Sequence, residues 1–186
     1  MPNAASLTGR QILIMATDGF EQSELEVPLK QLEDAGADVS IASLRTDDIR
    51  GWDGDDWGNK VAVDCLIEDV DVEDYDALVL PGGQINPDLL RVEDAAIDLI
   101  RAFAKAGKPI AAICHAPWLL IEAGLAEGRR MTGYKSIRTD IGNAGAKLLD
   151  EAVVVDRGII TSRCPDVLDA FCAAIVEAVV DSRVAT

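Results

Sequence analysis

The chain has 186 residues, 49% hydrophobic and 27% charged, enough for one domain that buries a core without disulfides or metals. Seventeen basic against 33 acidic residues give a formal charge of −16, which argues against a nucleic acid partner because there is no net basic field to displace phosphate counterions. The opening MPNAASLTGR lacks the apolar core of a signal peptide, and no run reaches the ~20 apolar residues of a membrane span, so a cytoplasmic protein with no membrane partner is expected.

In chain order, residues 1–10 read as a flexible N-terminal tail of a single domain spanning 1–186. QILIMAT (Gln11–Thr17) has the continuous apolar character of a buried parallel strand, with Asp18-Gly19 as its turn. The next segment places Leu25, Leu29 and Leu32 on one helical face and stops at Gly36, and DVSIASL comes next as a second strand, completing a βαβ unit. Residues 45–75 break the alternation. TDDIRGWDGDDWGNK is acidic and glycine-rich, and reads as a hairpin or excursion at the sheet edge, with Trp52 and Trp57 either core lids or subunit-interface anchors. ALVLPGG (Ala77–Gly83) is again a buried strand, VEDAAIDLIRAFAKAG an amphipathic helix ended by Gly107, and PIAAIC a further strand. PWLLIEAG starts a helix with Pro117 in its first turn. An irregular stretch around IRTDIGNAG, a hairpin AVVVDRGIITS turning at Asp156-Arg157-Gly158, and a helix over Asp166–Val180 complete the chain. Alternating strands and helices predict an α/β sandwich around a mostly parallel sheet.

Ligand crevices in such sheets lie beyond the carboxyl ends of the strands. Three groups fall there: the Asp18–Glu24 segment, Pro81-Gly82-Gly83, and Cys114-His115. Cys114 stands where a strand turns sharply into a helix, a place that exposes a side chain and offers free N–H groups to a thiolate. Against this stands the ordinary fate of a cysteine, which is burial. His115 is the only histidine, so any histidine-dependent chemistry in this chain uses it. Gly82 and Gly83 could present unhindered backbone N–H groups to an oxyanion, or be a simple turn; their spacing is not that of a nucleotide-binding loop. Glu21 and Glu24 are either partners of the helix dipole or, if turned to the crevice, proton carriers. The four cysteines, Cys65, Cys114, Cys164 and Cys172, form no Cys-x-x-Cys pair, so reduced thiols are expected and neither a metal nor another cofactor. Cys164, between Arg163 and Pro165, is the alternative site thiol, and Cys172 falls in the last helix as core.

FEQSELEVPLKQLEDAGADVSIAS, DALVLPGG, GKPIAAICHAPWLLIEAG and DEAVVVDRGIITSRCPDVLDAF, in this order, resemble the ThiJ/PfpI superfamily and its PfpI-like intracellular peptidase branch. The resemblance implies a flavodoxin-like α/β/α sandwich of the class I glutamine amidotransferase kind. It implies Cys114 as the elbow nucleophile, His115 as its neighbour and Glu24 as the carboxyl that contacts the cysteine. In the PfpI branch a carboxylate from a neighbouring subunit orients the histidine, and Asp88 holds the matching position, which implies at least a homodimer. Asp88 is one methylene shorter than the usual glutamate, and Ala116 replaces the glycine common after Cys-His. The resemblance implies three activities. They are, in order of preference, a glutathione-independent glyoxalase or protein deglycase, which asks less of the site than proteolysis does, a cysteine peptidase using Cys114, His115 and Asp88, and a redox sensor or chaperone-like stress protein acting through Cys114 oxidation. The partners expected are accordingly small carbonyl compounds or glycated or unfolded protein.

Overall fold

A computed structural model describes residues 6–182. In chain order the elements are β1 (Gln11–Met15), β2 (Phe20–Glu21), α1 (Gln22–Asp34), β3 (Asp38–Ser43), β4 (Ile49–Asp53), β5 (Asp56–Val61), β6 (Cys65–Leu66), β7 (Ala77–Leu80), α2 (Ile85–Leu90) and α3 (Asp94–Lys105). They continue with β8 (Ile110–Ile113), α4 (Pro117–Glu122), β9 (Arg130–Met131), α5 (Arg138–Asn143), β10 (Lys147–Leu148), β11 (Val153–Asp156), β12 (Ile159–Ser162) and α6 (Leu168–Asp181). The central sheet has seven strands in the order β11-β12-β8-β7-β1-β3-β6, and β11 alone is antiparallel. Strands β1, β7 and β8 are buried on both faces, which is why their sequences are unbroken apolar runs rather than alternating ones.

Helices α3 and α4 pack on one face over a core that includes Leu78, Phe103, Ile110 and Leu119. On the other face α1 and α6 cover Ile12, Ile14, Leu25, Phe171 and Ile175. This is the expected three-layer, flavodoxin-like sandwich. From β1 the chain goes to β3 on one side and later returns to β7 on the other. Such a reversal opens a crevice at the carboxyl ends of the two central strands. Among the described residues no helix is long and apolar enough to cross a membrane.

The structure revises three local expectations. Positions 1–5 of the expected tail lie outside the described residues, but Leu7 is fully buried and Arg10 pairs with Asp76, so positions 7–10 belong to the packed fold. The excursion over 45–75 contains a hairpin that leaves the main sheet, with β4 and β5 joining the two-residue β2 in a separate three-stranded sheet, and ends in β6, which adds the edge strand of the main sheet beside β3. Trp52 and Trp57 face each other across that hairpin with ring centroids 5.5 Å apart, and Trp57 is 41% exposed, so it is no core lid. The stretch around IRTDIGNAG contains α5, and the loop after Gly83 contains α2; both are short helices with too few residues to show a 3.6-residue period.

Candidate active site at the Cys114 elbow

Cys114 leaves β8 with φ +63°, a left-handed conformation that costs an L-residue about 1–2 kcal/mol. Such strain persists where the surroundings over-determine it. Here the Cys114 N–H donates to the Ser162 carbonyl at 3.0 Å, and its carbonyl accepts from the Tyr134 N–H at 2.8 Å. The bend is therefore clamped from two sides, by the end of β12 and by the loop after β9. Ala116 sits at φ −58°, an ordinary helical value, so glycine is not needed there.

Glycine is needed at position 82. A Cβ on Gly82 would lie 2.5 Å from Glu24 Oε2, 2.6 Å from the Ile113 carbonyl oxygen and 2.7 Å from Cys114 Cβ. The missing side chain is the space through which the first helix and the elbow meet. Gly83 comes next at φ +76°.

Glu24 is fully buried. Its Oε2 accepts the Gly82 N–H at 2.9 Å, and its Oε1 is buried without a hydrogen-bond partner. Burial, reinforced by the neighbouring Glu21 charge, pushes its pKa up to about 8, so the carboxyl is protonated at neutral pH. A proton on Oε1 converts an unpaired buried acceptor into a donor. The carboxyl lies against the Cys114 thiol. Burial and the Glu24 charge push that thiol up, while the backbone N–H groups of Gly83 and His115 pull it down. Below the Glu24 pKa the charge repulsion vanishes. Glu21 is a structural residue: its side chain caps α1 by accepting the Glu24 N–H at 2.9 Å.

His115 is 8% exposed, and burial lowers its pKa. Its Nδ1 lies 3.2 Å from Cys114 Sγ, and its Nε2 lies 3.0 Å from Ser136 Oγ. The ring stacks on Tyr134 at 4.8 Å and meets Trp118 edge-on at 5.3 Å. For Nδ1 to take the thiol proton, Nε2 must carry the hydrogen and donate it to Ser136. Sequence-adjacent Cys and His thus reach contact, and the ring is oriented within the protomer by a hydroxyl.

Of the residues singled out by sequence, Cys114, His115, Glu24, Gly82 and Gly83 come together. Asp88 does not join them within the chain: it is exposed on α2, with no hydrogen bond or ion pair to the described residues. The expected pair of oxyanion donors also divides, because the Gly82 N–H is committed to Glu24 while the Gly83 N–H faces the sulfur. Cys164 is half-buried beside Arg163, and Cys172 is buried in α6.

Two site residues carried no sequence signal. Asn86 is fully buried; it accepts the Thr17 N–H at 2.7 Å and donates to the carbonyls of Pro81 at 2.9 Å and Gly82 at 3.2 Å. It ties the end of β1 to the Pro-Gly-Gly turn. Ser136 stands in a single 3-10 turn, Lys135–Ile137, which the Tyr134–Cys114 backbone bond and the buried Ile137 hold beside the imidazole.

The sequence pattern of the DJ-1/PfpI family matches residues 10–178. A Bacillus subtilis protein named, provisionally, cysteine protease YraA is 44% identical over 87% of this chain and 94% of its own length. A Thermococcus kodakarensis protein named Deglycase TK1284 is 40% identical over 90% of this chain and 98% of its own. Among solved structures, Drosophila melanogaster DJ-1beta superposes with a TM-score of 0.83 at 29% identity, covering 93% of this chain and 94% of that one.

Proposed function

The chain belongs to the DJ-1/PfpI family, and from that premise we propose that it removes reactive carbonyl adducts during stress, as a glutathione-independent glyoxalase or protein deglycase acting through Cys114. The observation that carries this reading is the buried contact of the Cys114 thiol with a carboxyl that keeps its proton at neutral pH. An aldehyde or hemithioacetal carbon is a good electrophile. It needs a nucleophile, a proton donor for the new oxygen and little space.

The residues supply each part. Neutral His115 takes the thiol proton on Nδ1 as Sγ bonds to the carbonyl carbon. The carbonyl π pair moves to oxygen, which faces the Gly83 N–H and takes the Glu24 proton. Glu24 then carries the charge, with its Oε2 held by Gly82. Passing the His115 proton back to Glu24 leaves a neutral hemithioacetal. For a 2-oxoaldehyde, a 1,2-hydrogen shift between its two adjacent carbons gives the thioester. Water then cleaves the C–S bond, releasing the 2-hydroxy acid and returning the Cys114 thiol.

The peptidase reading is favoured by the name of the Bacillus subtilis relative. It asks for an imidazolium stabilised by a carboxylate. In the protomer Ser136 takes that place, and burial works against the charged ring. A homodimer in which Asp88 of a second copy reaches His115 would restore the triad.

The test is a parallel assay of the purified protein and Cys114→Ser. Methylglyoxal should disappear without glutathione, and the variant should retain about a thousandth of that activity or less. Cleavage of unfolded casein with no carbonyl consumption would overturn the reading in favour of the peptidase.

A further inference from the structure

Beside the elbow lies a pocket of about 180 Å³ lined by Tyr134, Lys135, Arg138, Arg163 and Cys164. Its walls are tethered to the reactive cysteine twice. The Tyr134 N–H bonds the Cys114 carbonyl, and Arg163 directly follows Ser162, whose carbonyl accepts the Cys114 N–H. The Tyr134 ring that lines the pocket is also the ring stacked on His115.

Three cations meet there in a chain whose formal charge is −16. Arg138 and Arg163 both grip Oδ1 of the exposed Asp150, at 2.6 and 2.8 Å, and a second carboxylate, that of Asp166, lies 3.9 Å from the Cys164 sulfur. Both guanidiniums leave Nε without a partner. Lys135 forms no salt bridge among the described residues; its Nζ lies 6.0 Å from the Tyr134 ring centre. With three cations against the carboxylates of Asp150 and Asp166, the pocket keeps a net positive charge. A neutral aldehyde would gain nothing from that excess, whereas an electrophile with a carboxylate or phosphate would be drawn in and oriented.

We propose that Lys135, Arg138 and Arg163 form a subsite for an anionic group on the electrophile that Cys114 attacks, so that the preferred substrates are carbonyl compounds carrying a carboxylate or phosphate. The proposal rests on the reading of Cys114 as nucleophile. Its test does not depend on carbonyl turnover.

Iodoacetate and iodoacetamide alkylate a thiolate by the same displacement and differ in one carboxylate. The rate of Cys114 modification by each, measured by mass spectrometry at fixed pH, gives a ratio that cancels the thiolate fraction. Lys135→Gln and Arg163→Gln should each lower the iodoacetate-to-iodoacetamide ratio about fivefold, and added salt should lower it in the wild type. Asp150→Asn should raise it. Lys147→Gln, the same charge change at an exposed site in β10, should leave it unchanged. An equal fall for Lys147→Gln, or no fall for Lys135→Gln and Arg163→Gln, overturns the subsite. So does a ratio unmoved by these variants while they dissociate an oligomer, because the pocket would then hold a second copy. If the ratios behave as expected but no carbonyl compound is consumed, the proposed function fails and the subsite stands. Once activity on carbonyls is measured, carboxylate- and phosphate-bearing aldehydes can be compared in the same variants to separate the two anions.

Discussion

On one flank of Cys114, Glu24, Gly82 and Asn86 are buried and held by backbone hydrogen bonds; on the other, Lys135 and Ser136 are exposed and Tyr134 and Arg163 half-buried. The first flank comes from the first turn of α1, the turn after β7 and the start of α2. The second comes from the loop after β9 and the end of β12. The dry flank holds one proton in a place water does not reach, and it tolerates no change of shape. The open flank holds charge and a hydroxyl where a substrate arrives, and it is built from side chains that can be exchanged. Chemistry and selectivity are therefore separable, and substitutions on the two flanks should differ in kind as well as in size.

The largest contrast is between two alanines. Gly82→Ala places a Cβ 2.6 Å from the Ile113 carbonyl, a backbone atom that cannot turn away. It should cost about 3 kcal/mol in urea unfolding and about a hundredfold in carbonyl consumption. Gly142→Ala, in α5 on the open flank, has nothing within 4 Å of the added Cβ. Replacing a helical glycine there should stabilise the fold by about 0.5–1 kcal/mol. Equal effects at the two positions would erase the distinction between the flanks.

Glu24→Gln should change the pH dependence of stability. In the folded protein Glu24 titrates at about 8, against an ordinary value of 4.5. Below 4.5 both states hold the proton; between the two values the unfolded chain releases it and the folded one keeps it. Stability therefore falls as pH rises across this window, by up to ~5 kcal/mol, and the loss stops above about 8. Glutamine cannot titrate, so the variant should show a much flatter profile between about pH 5 and 8 in urea unfolding. An unchanged slope would mean the carboxyl is ionised in the folded protein and cannot supply the proton.

The same division governs what could be read from the sequence. The dry flank was legible because its parts sit at the ends of buried strands. QILIM, ALVL and IAAI are unmistakable apolar runs, and the residues just past each of them land in the crevice. Cys114, Gly82 and Gly83 needed little more than that rule. Glu24 is less direct, since an acidic residue in a first helical turn usually complements the dipole, as Glu21 does in capping α1. The open flank was opaque because its pairings are tertiary. Lys135 and Ser136 lie in a single 3-10 turn, α5 is a six-residue helix containing Gly142, and neither is long enough to show a period. Asn86 was illegible for a similar reason: its three hydrogen bonds all go to backbone groups, and backbone groups leave no trace in a sequence pattern. The excursion over 45–75 stands out by composition, but composition does not tell which strand it pairs with.

The smallest expected effect decides how far the open flank extends, because it asks whether His115 is completed within the chain or by a second copy. With a hydroxyl on Nε2 and a buried ring, His115 should titrate below its ordinary 6.5; a carboxylate from another subunit would instead raise it above that value. Since His115 is the only histidine, its ring protons give one NMR titration curve with no assignment to make. The expected curve has a midpoint under 6.5. Ser136→Ala should alter the midpoint, by freeing the ring from one tautomer, and lower kcat/KM about fivefold, while Asp88→Ala leaves both as they are. A midpoint above 6.5 that falls in Asp88→Ala, at protein concentrations where the chain is oligomeric, would move the orienting group to Asp88 of a second copy. Ser136 would then be a bystander, and the open flank would belong to an interface. The Gly82 and Glu24 outcomes would stand either way, because nothing on the dry flank depends on which group holds Nε2.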